Sequence, residues 1–500
     1  MTYLKKISTQ EDLETKCATY SENIDEWEFY GLSYRGGKAF IEEVLTQHER
    51  ESNANWNSRI REGINFNYCQ SIINLINFYL TEKPVNRNIK KLNEDQQWKM
   101  FLQDTDLHGT NFDLFMNEAQ KLCSVYGSIG ILVDKAAHDY ASKAEEITNK
   151  VYPYCAPYTL DNIHYWEYER NKETGRPELV YLKLYENGGR YLIWTKRKWE
   201  IWEVSEKEKT PKRVEMGKNT LGVIPFVWLV NIKDLSNPYI GISDITEISR
   251  VTASITRNLS CGEEVVKFAG FPIFRVPMEK EDGLDGPSKE TVIGQSAVQE
   301  FNPEYGKYGK PDWLESAIEA PINGITSWID KKIDETFRIA HLSGIHGQRK
   351  TNNEVASGLA LRYEFQQLNS VLTQKSKNMS EAEINILTYW MMWQDIEPDV
   401  EESAKIERST SFSIEDLSVD LKNALEALTA VASKTFSEHV QKNIVRKVLS
   451  EIPNDKLEII HNEIVENTEK AEKEAEILRK RELEGDRNGE KKEKVDTKGE

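Results

Sequence analysis

The chain has 500 residues, 39% of them apolar, enough for two or three ordinary domains with real cores rather than a disordered tract. Its formal net charge of −18 repels phosphate, which disfavours a general DNA-coating role and leaves nucleic-acid contact to local basic features. The five cysteines, at 17, 69, 123, 155 and 261, form no C-x-x-C pair and read as reduced intracellular thiols. The polar N-terminus and the lack of any apolar run of about 18 residues argue for a soluble protein with no signal peptide and no membrane partner.

Residues 56–123 read as helical. Ile64, Tyr68, Ile72, Ile73, Leu75, Ile76 and Tyr79 recur on one face until Pro84, and Thr110 with Asp113 opens a second helix ending near Cys123. From Tyr126 to Val230 the runs SIGILVD, HYWEYER, ELVYLKLY, RYLIWTKRKWEIWEV and GVIPFVWLV, separated by Gly, Pro or charged turns, predict a β-rich layer packed on helices. After Pro238 the helical period returns. Ser243 can cap a helix that places Ile245, Ile248, Ile255, Leu259, Val266 and Ala269 on one side and ends at Gly270, about 27 residues or roughly 40 Å long.

A Gly- and Pro-rich stretch from Phe271 to Trp313 predicts a small β-containing excursion, and a second helix runs from about Leu314 to Ala340 with Ile318, Ile322, Ile325, Ile329, Ile333 and Phe337 on its apolar face. The polar stretch IHGQRKTNNEVASG, Ile345 to Gly358, follows. Beyond it Leu361, Phe365, Leu368, Leu372, Met379, Ile386, Trp390 and Trp393 mark a third helix, too long for an ordinary globular helix. Residues 413–484 read as helices, one of them capped by Ser437, and the closing GDRNGEKKEKVDTKGE has almost no apolar side chain and should be disordered. No period of 20 to 50 residues recurs, so a solenoid is not expected.

The chemistry of common enzymes is not matched. Gly31-Leu-Ser-Tyr-Arg-Gly36-Gly37-Lys38-Ala39 misses the P-loop spacing and the Mg²⁺-binding hydroxyl, and reads as a turn. Asp104-x-Asp106-x-His108-Gly109 opens like a calcium loop, but Phe115 stands where a bidentate Glu is required. No G-x-S-x-G, paired-His zinc motif or Cys/His cluster occurs, so neither catalysis nor a metal or other cofactor is expected. Trp194-Thr-Lys-Arg-Lys198-Trp199-Glu-Ile-Trp202 could stack single-stranded bases; the plainer reading is a hairpin with Lys-Arg-Lys as its turn, set among Glu186, Glu200, Glu203, Glu206 and Glu208.

Taken in order, these segments resemble the portal, or head-to-tail connector, proteins of tailed double-stranded DNA bacteriophages. Tyr126–Asp134, Pro153-Tyr154, Tyr158–Trp166 and Ile224-Pro225-Phe226 are similar to the wing of such subunits, and Ile245 to Pro272 to the stem helix that precedes the clip. Asn353–Arg362 is similar to the entry into the long helix, and Phe436-Ser437 to Glu451 to a crown helix.

The resemblance implies an α+β, predominantly helical subunit. It divides into an N-terminal segment (1–55), wing (56–241), first stem helix (242–270), clip (271–313), second stem helix (314–341), tunnel loop (342–358), long wing and channel helix (359–412), crown helices (413–484) and disordered tail (485–500). It further implies a ring, a dodecamer in the family, at the capsid portal vertex of the virion, assembled in the host cytoplasm with major capsid and scaffold proteins. Gln348, Arg349, Lys350, Asn352 and Asn353 would then contact passing double-stranded DNA without regard to sequence. Glu281, Asp282, Asp285, Lys289 and Glu290 would dock the terminase large subunit and later a head-completion or neck protein. Three alternatives stay open: an exposed linker with a merely solvated Arg349-Lys350 pair, another virion structural or adaptor protein without a DNA channel, and a terminase-type enzyme, which would need the P-loop not found here.

Overall fold

Side-chain caps start most of the N-terminal helices. The helices are α1 (Gln10–Glu14), α2 (Ala18–Arg35), α3 (Gly37–Val44), α4 (Asn53–Glu62), α5 (Tyr68–Thr81), α6 (Gln96–Gln103) and α7 (Phe112–Tyr126), with strand β1 (Asn86–Ile89) between α5 and α6. Thr9, Ser52, Asn67, Asp95 and Asn111 each accept a hydrogen bond from a backbone N–H of the first turn, which satisfies a donor that the helix itself leaves free, about 1 kcal/mol per cap. The computed structural model describes residues 7–269 apart from positions 8, 90, 91, 93, 138, 139, 141 and 205–209, then 273–277, 298–301, 312–314, 319–342, 358–397, 404–410, 412 and 434–448, with scattered positions between 426 and 470.

Two expectations for this region change. Gly63 ends α4 and Asn67 caps a new helix, so Ile64 lies in the exposed connection rather than on the apolar stripe of α5. The next helix opens at Asn111, not Thr110. The N-terminal segment, given no elements from sequence, holds α1 to α3. The buried face of α2 is built from Tyr20, Trp27, Tyr30, Gly31 and Ser33, a set too poor in aliphatic residues to mark a stripe.

The β-rich region forms two antiparallel sheets. The first has the order β3-β2-β9, from β2 (Ser128–Asp134), β3 (Tyr154–Thr159) and β9 (Phe226–Val230), with the short α8 (Lys143–Thr148) between β2 and β3. β2 is buried from Ser128 to Val133, so it is a continuous apolar run rather than an alternating one. Gly127 joins α7 to β2 with φ at +87°, and a Cβ there would stand 2.2 Å from the Gly241 carbonyl oxygen. Gly127→Ala combines left-handed strain with a backbone clash and should cost roughly 3 kcal/mol. A urea midpoint shift worth less than about 1 kcal/mol would show that the junction yields.

The second sheet is a meander of β4 (Ile163–Arg170), β5 (Pro177–Glu186), β6 (Arg190–Thr195), β7 (Lys198–Val204) and β8 (Pro211–Lys218). The basic-aromatic stretch is its β6–β7 hairpin, turning at Lys196 and Arg197. Trp194 is buried, Trp199 lies against Gly217, and Lys198 pairs with Glu200 at 2.7 Å and Lys196 with Glu178. These rings and ammonium groups already have partners, which leaves little of the stretch for stacking bases.

Three long helices complete the first of two compact units, residues 1–412: α9 (Thr246–Ala269), α10 (Glu319–Ile339) and α11 (Gly358–Trp393). Between α9 and α10 lies a three-stranded sheet of order β11-β10-β12, from β10 (Ile273–Pro277), β11 (Val298–Phe301) and β12 (Asp312–Leu314), with β10 parallel to β11 and antiparallel to β12. The second helix therefore starts at Glu319, because the expected starting residue Leu314 is paired in a strand with Ile273. Residues 359–412 are not one helix: α11 stops at Trp393, and β13 (Ala404–Glu407) pairs with β1.

α9 begins at Thr246. Ser243 accepts from the Ile245 N–H at 3.2 Å and donates to the Val125 carbonyl at 2.6 Å, so it ties the helix start to α7. In the second unit, residues 413–500, α12 (Lys434–Val448) encloses Ser437 within its first turn instead of starting after it. The fold is α+β and predominantly helical.

Candidate interaction site on the paired helices

α9 and α10 run antiparallel: Lys332 donates to Ser254 at 2.7 Å, and Gly262 lies opposite Ile325. The two ends of the pair differ. Near the root Ile245, Ile248, Thr252, Ile255, Thr336 and Ala340 are buried, whereas toward the three-stranded sheet Val266 is 51% exposed and Trp328 is 55% exposed. The Trp328 indole, with the Lys332 ammonium over its ring at 5.2 Å, and Val266 are large apolar side chains left half open to solvent, while the root is part of the main core.

The root carries a buried charge. Lys375 of α11, 0% exposed, reaches Asp244 at 2.6 Å, just ahead of α9, and also donates to Asn231 and to Ser124 at 3.2 Å. Asn231 donates in turn to Asp244 at 2.7 Å, and Asn378 donates to the Asn231 carbonyl at 2.9 Å. Four parts of the fold, α7, the end of β9, the start of α9 and α11, thus meet on one ammonium group. In the interior such a pair holds only when its remaining lone pairs and protons are satisfied, and these are.

Two further buried nodes brace the same helices. Glu383 of α11, also 0% exposed, pairs with Arg87 of β1 and with Arg408 at 2.6 Å. Burial works against the Arg87 charge, but Glu383 and Asp113 outweigh it and raise its pKa. Arg59 of α4 pairs with Glu51 at 2.7 Å and donates to Ser260 of α9 at 3.2 Å.

Sequence reasoning missed these residues, although a signal exists. Lys375 and Glu383 fall at helical spacing on the stripe of Leu368, Leu372, Met379 and Ile386, where a charge can only be buried and paired.

The expected contact residues lie elsewhere. Gln348, Arg349, Lys350, Asn352 and Asn353, and likewise Glu281, Asp282, Asp285, Lys289 and Glu290, are outside the described residues. What is described brackets them: α10 and α11 flank the first set, β10 and β11 the second.

The motif look-alikes acquire structural roles. Gly31 sits in α2 against Tyr126, and Gly36 and Gly37, both at positive φ, turn α2 into α3. Asp104 and Asp106 accept from the N–H groups of Gly109, His108 and Thr110, so their oxygens close their own turn. All five thiols are free, and Cys69, Cys123 and Cys155 are buried. Among the described residues no group of three or more His, Cys, Asp or Glu is placed to hold a metal ion, and no helix is long and apolar enough to cross a membrane.

No family model matches the chain, and no curated protein matches it. Among solved structures, the chain is similar to one from the neck of an empty gene transfer agent (GTA) particle computed with C6 symmetry, with TM-score 0.40 and 11% identity over 77% of this chain and 90% of that one. It is similar to a chain of the virion of the native GTA particle, with TM-score 0.40 and 11% identity over 83% and 98% of the two chains. A chain from the neck of the native GTA particle computed with C12 symmetry gives TM-score 0.39 and 11% identity over 83% and 99%.

Proposed function

We propose that the chain is the portal subunit of a tailed double-stranded DNA phage, a non-enzymatic ring that conducts DNA into and out of the capsid. The observation that carries this reading is the antiparallel α9/α10 pair, rooted on a buried ion pair, interrupted by a small sheet at its far end and followed by a 36-residue helix. In the ring, α9 and α10 are the stem, β10 to β12 belong to the clip, and residues 342–358 line the channel. Val266 and Trp328, open on a single chain, are then covered by the neighbouring copies. The clip residues dock the terminase large subunit and afterwards a neck protein.

Assembly tests the reading directly. A ring of twelve 57.8 kDa chains would weigh about 690 kDa in mass photometry. A strict monomer at micromolar concentration, with or without scaffold protein, would favour a virion component that has no channel.

A further inference from the structure

The short helix α1 is attached apart from the main core, which begins to be built further along the N-terminal segment, at Tyr20 of α2. Five residues are too few to hold a helix alone, yet Leu13 in α1 is 0% exposed. It packs with Tyr191 and Ile193 in a separate apolar cluster on the five-stranded sheet. Beneath it Lys183 of β5, only 2% exposed, donates to the Leu13 carbonyl at 2.7 Å and to the Thr15 carbonyl. Both carbonyls belong to the C-terminal end of α1, where helix carbonyls lack partners and the dipole favours a cation. The segment ends where the Cys17 N–H donates to the His164 carbonyl at 3.0 Å.

We propose that residues 7–17 are a latch, which docks on the sheet through Leu13 and Lys183 and opens as a unit while the rest of the first unit stays folded, uncovering Tyr181, Tyr185 and Trp202. The contacts through Leu13 and Lys183 are few and lie apart from the main core, which the segment meets at its end through Cys17, and this is what lets a segment open below the cost of global unfolding.

The latch also has a direction with pH. His164 of β4 stacks on Tyr185 of β5, meets Tyr20 of α2 and Tyr191 of β6 edge-on, and keeps its Nδ1 buried without a hydrogen-bond partner. Burial, then the nearby Lys16 and Lys183, push its pKa down to about 4. The carboxylates around the group are Asp12 and Glu14 of α1, Glu28 of α2 and Asp161, and Cys17 lies beside Lys183. They do not offset the loss of solvation. Lys16 belongs to the docked segment, so the part of the depression that docking causes favours the closed form above the free value of about 6.5, and that contribution is lost as pH falls toward about 4. Lys183, held down to about 8 by burial, acts in the same direction in a more alkaline window. Acid therefore opens the latch.

Hydrogen exchange on the full chain, corrected for intrinsic rates, tests this at about pH 7.5 and pH 5. Residues 7–17 should open more readily than β5 and β6, and up to about thirtyfold more at the lower pH, the bound set by the His164 shift. Leu13→Ala should remove protection from residues 7–17 alone, and His164→Gln should flatten the acid response. Protection of residues 7–17 equal to that of β5 and β6, or loss of protection in both strands with Leu13→Ala, would overturn the latch. An undiminished acid response in His164→Gln would overturn its control by that imidazole.

Discussion

Asp244→Ala is expected to destabilise the first unit by roughly 3–5 kcal/mol, because it leaves the Lys375 ammonium fully buried without its carboxylate. Asn231 and Ser124 would still accept from Lys375, but neutral acceptors do not replace a counter-charge in a low-dielectric site. Adding Lys375→Met to Asp244→Ala should recover much of the loss, since it removes the buried charge that Asp244→Ala leaves uncompensated. Urea unfolding of the single and double variants makes the comparison. A loss below about 1 kcal/mol for Asp244→Ala would mean that water reaches Lys375 and that the node does not hold the start of α9. The expected consequence in the proposed ring is that α9 and α10 are free to shift against the long helix, since Lys375 of α11 is bonded to Asp244 just ahead of α9.

Arg349→Ala with Lys350→Ala should behave in the opposite way, leaving stability within about 0.5 kcal/mol of the wild type while DNA packaging or retention fails. The expectation follows from a polar, basic stretch placed between α10 and α11 and, in the proposed ring, facing the channel. Phosphate contacts carry no base information, so the defect should be the same for any DNA sequence. Packaging yield and head retention are measured on intact rings. Wild-type values for the double variant would remove these two side chains from DNA contact and leave the stretch as a linker.

Periodicity was most informative where a segment buries one aliphatic face. The Leu368, Leu372, Met379, Ile386, Trp390 spacing marks α11, whose end at Trp393 is where the apolar stripe ends. It failed where burial is built from aromatic and small residues, as in α2, and where partners distant in sequence recruit a short segment. β13 is a strand only because β1, more than three hundred residues earlier, offers it a backbone edge. The same limit applies to Ser243, whose hydroxyl is drawn to the Val125 carbonyl of another element.

The amino-acid sequence by itself determined the α+β class, the β-rich layer from Tyr126 to Val230, the three long helices and the segment that interrupts the first two, because each of these follows from local hydrophobic period and turn chemistry. Only the tertiary structure decided which charges are joined: Lys375 with Asp244, Glu383 with Arg87 and Arg408, and Lys183 with the end of α1. A buried charge is tolerated only where the fold brings its partner to within hydrogen-bonding distance, and no one-dimensional spacing records which distant residue that is.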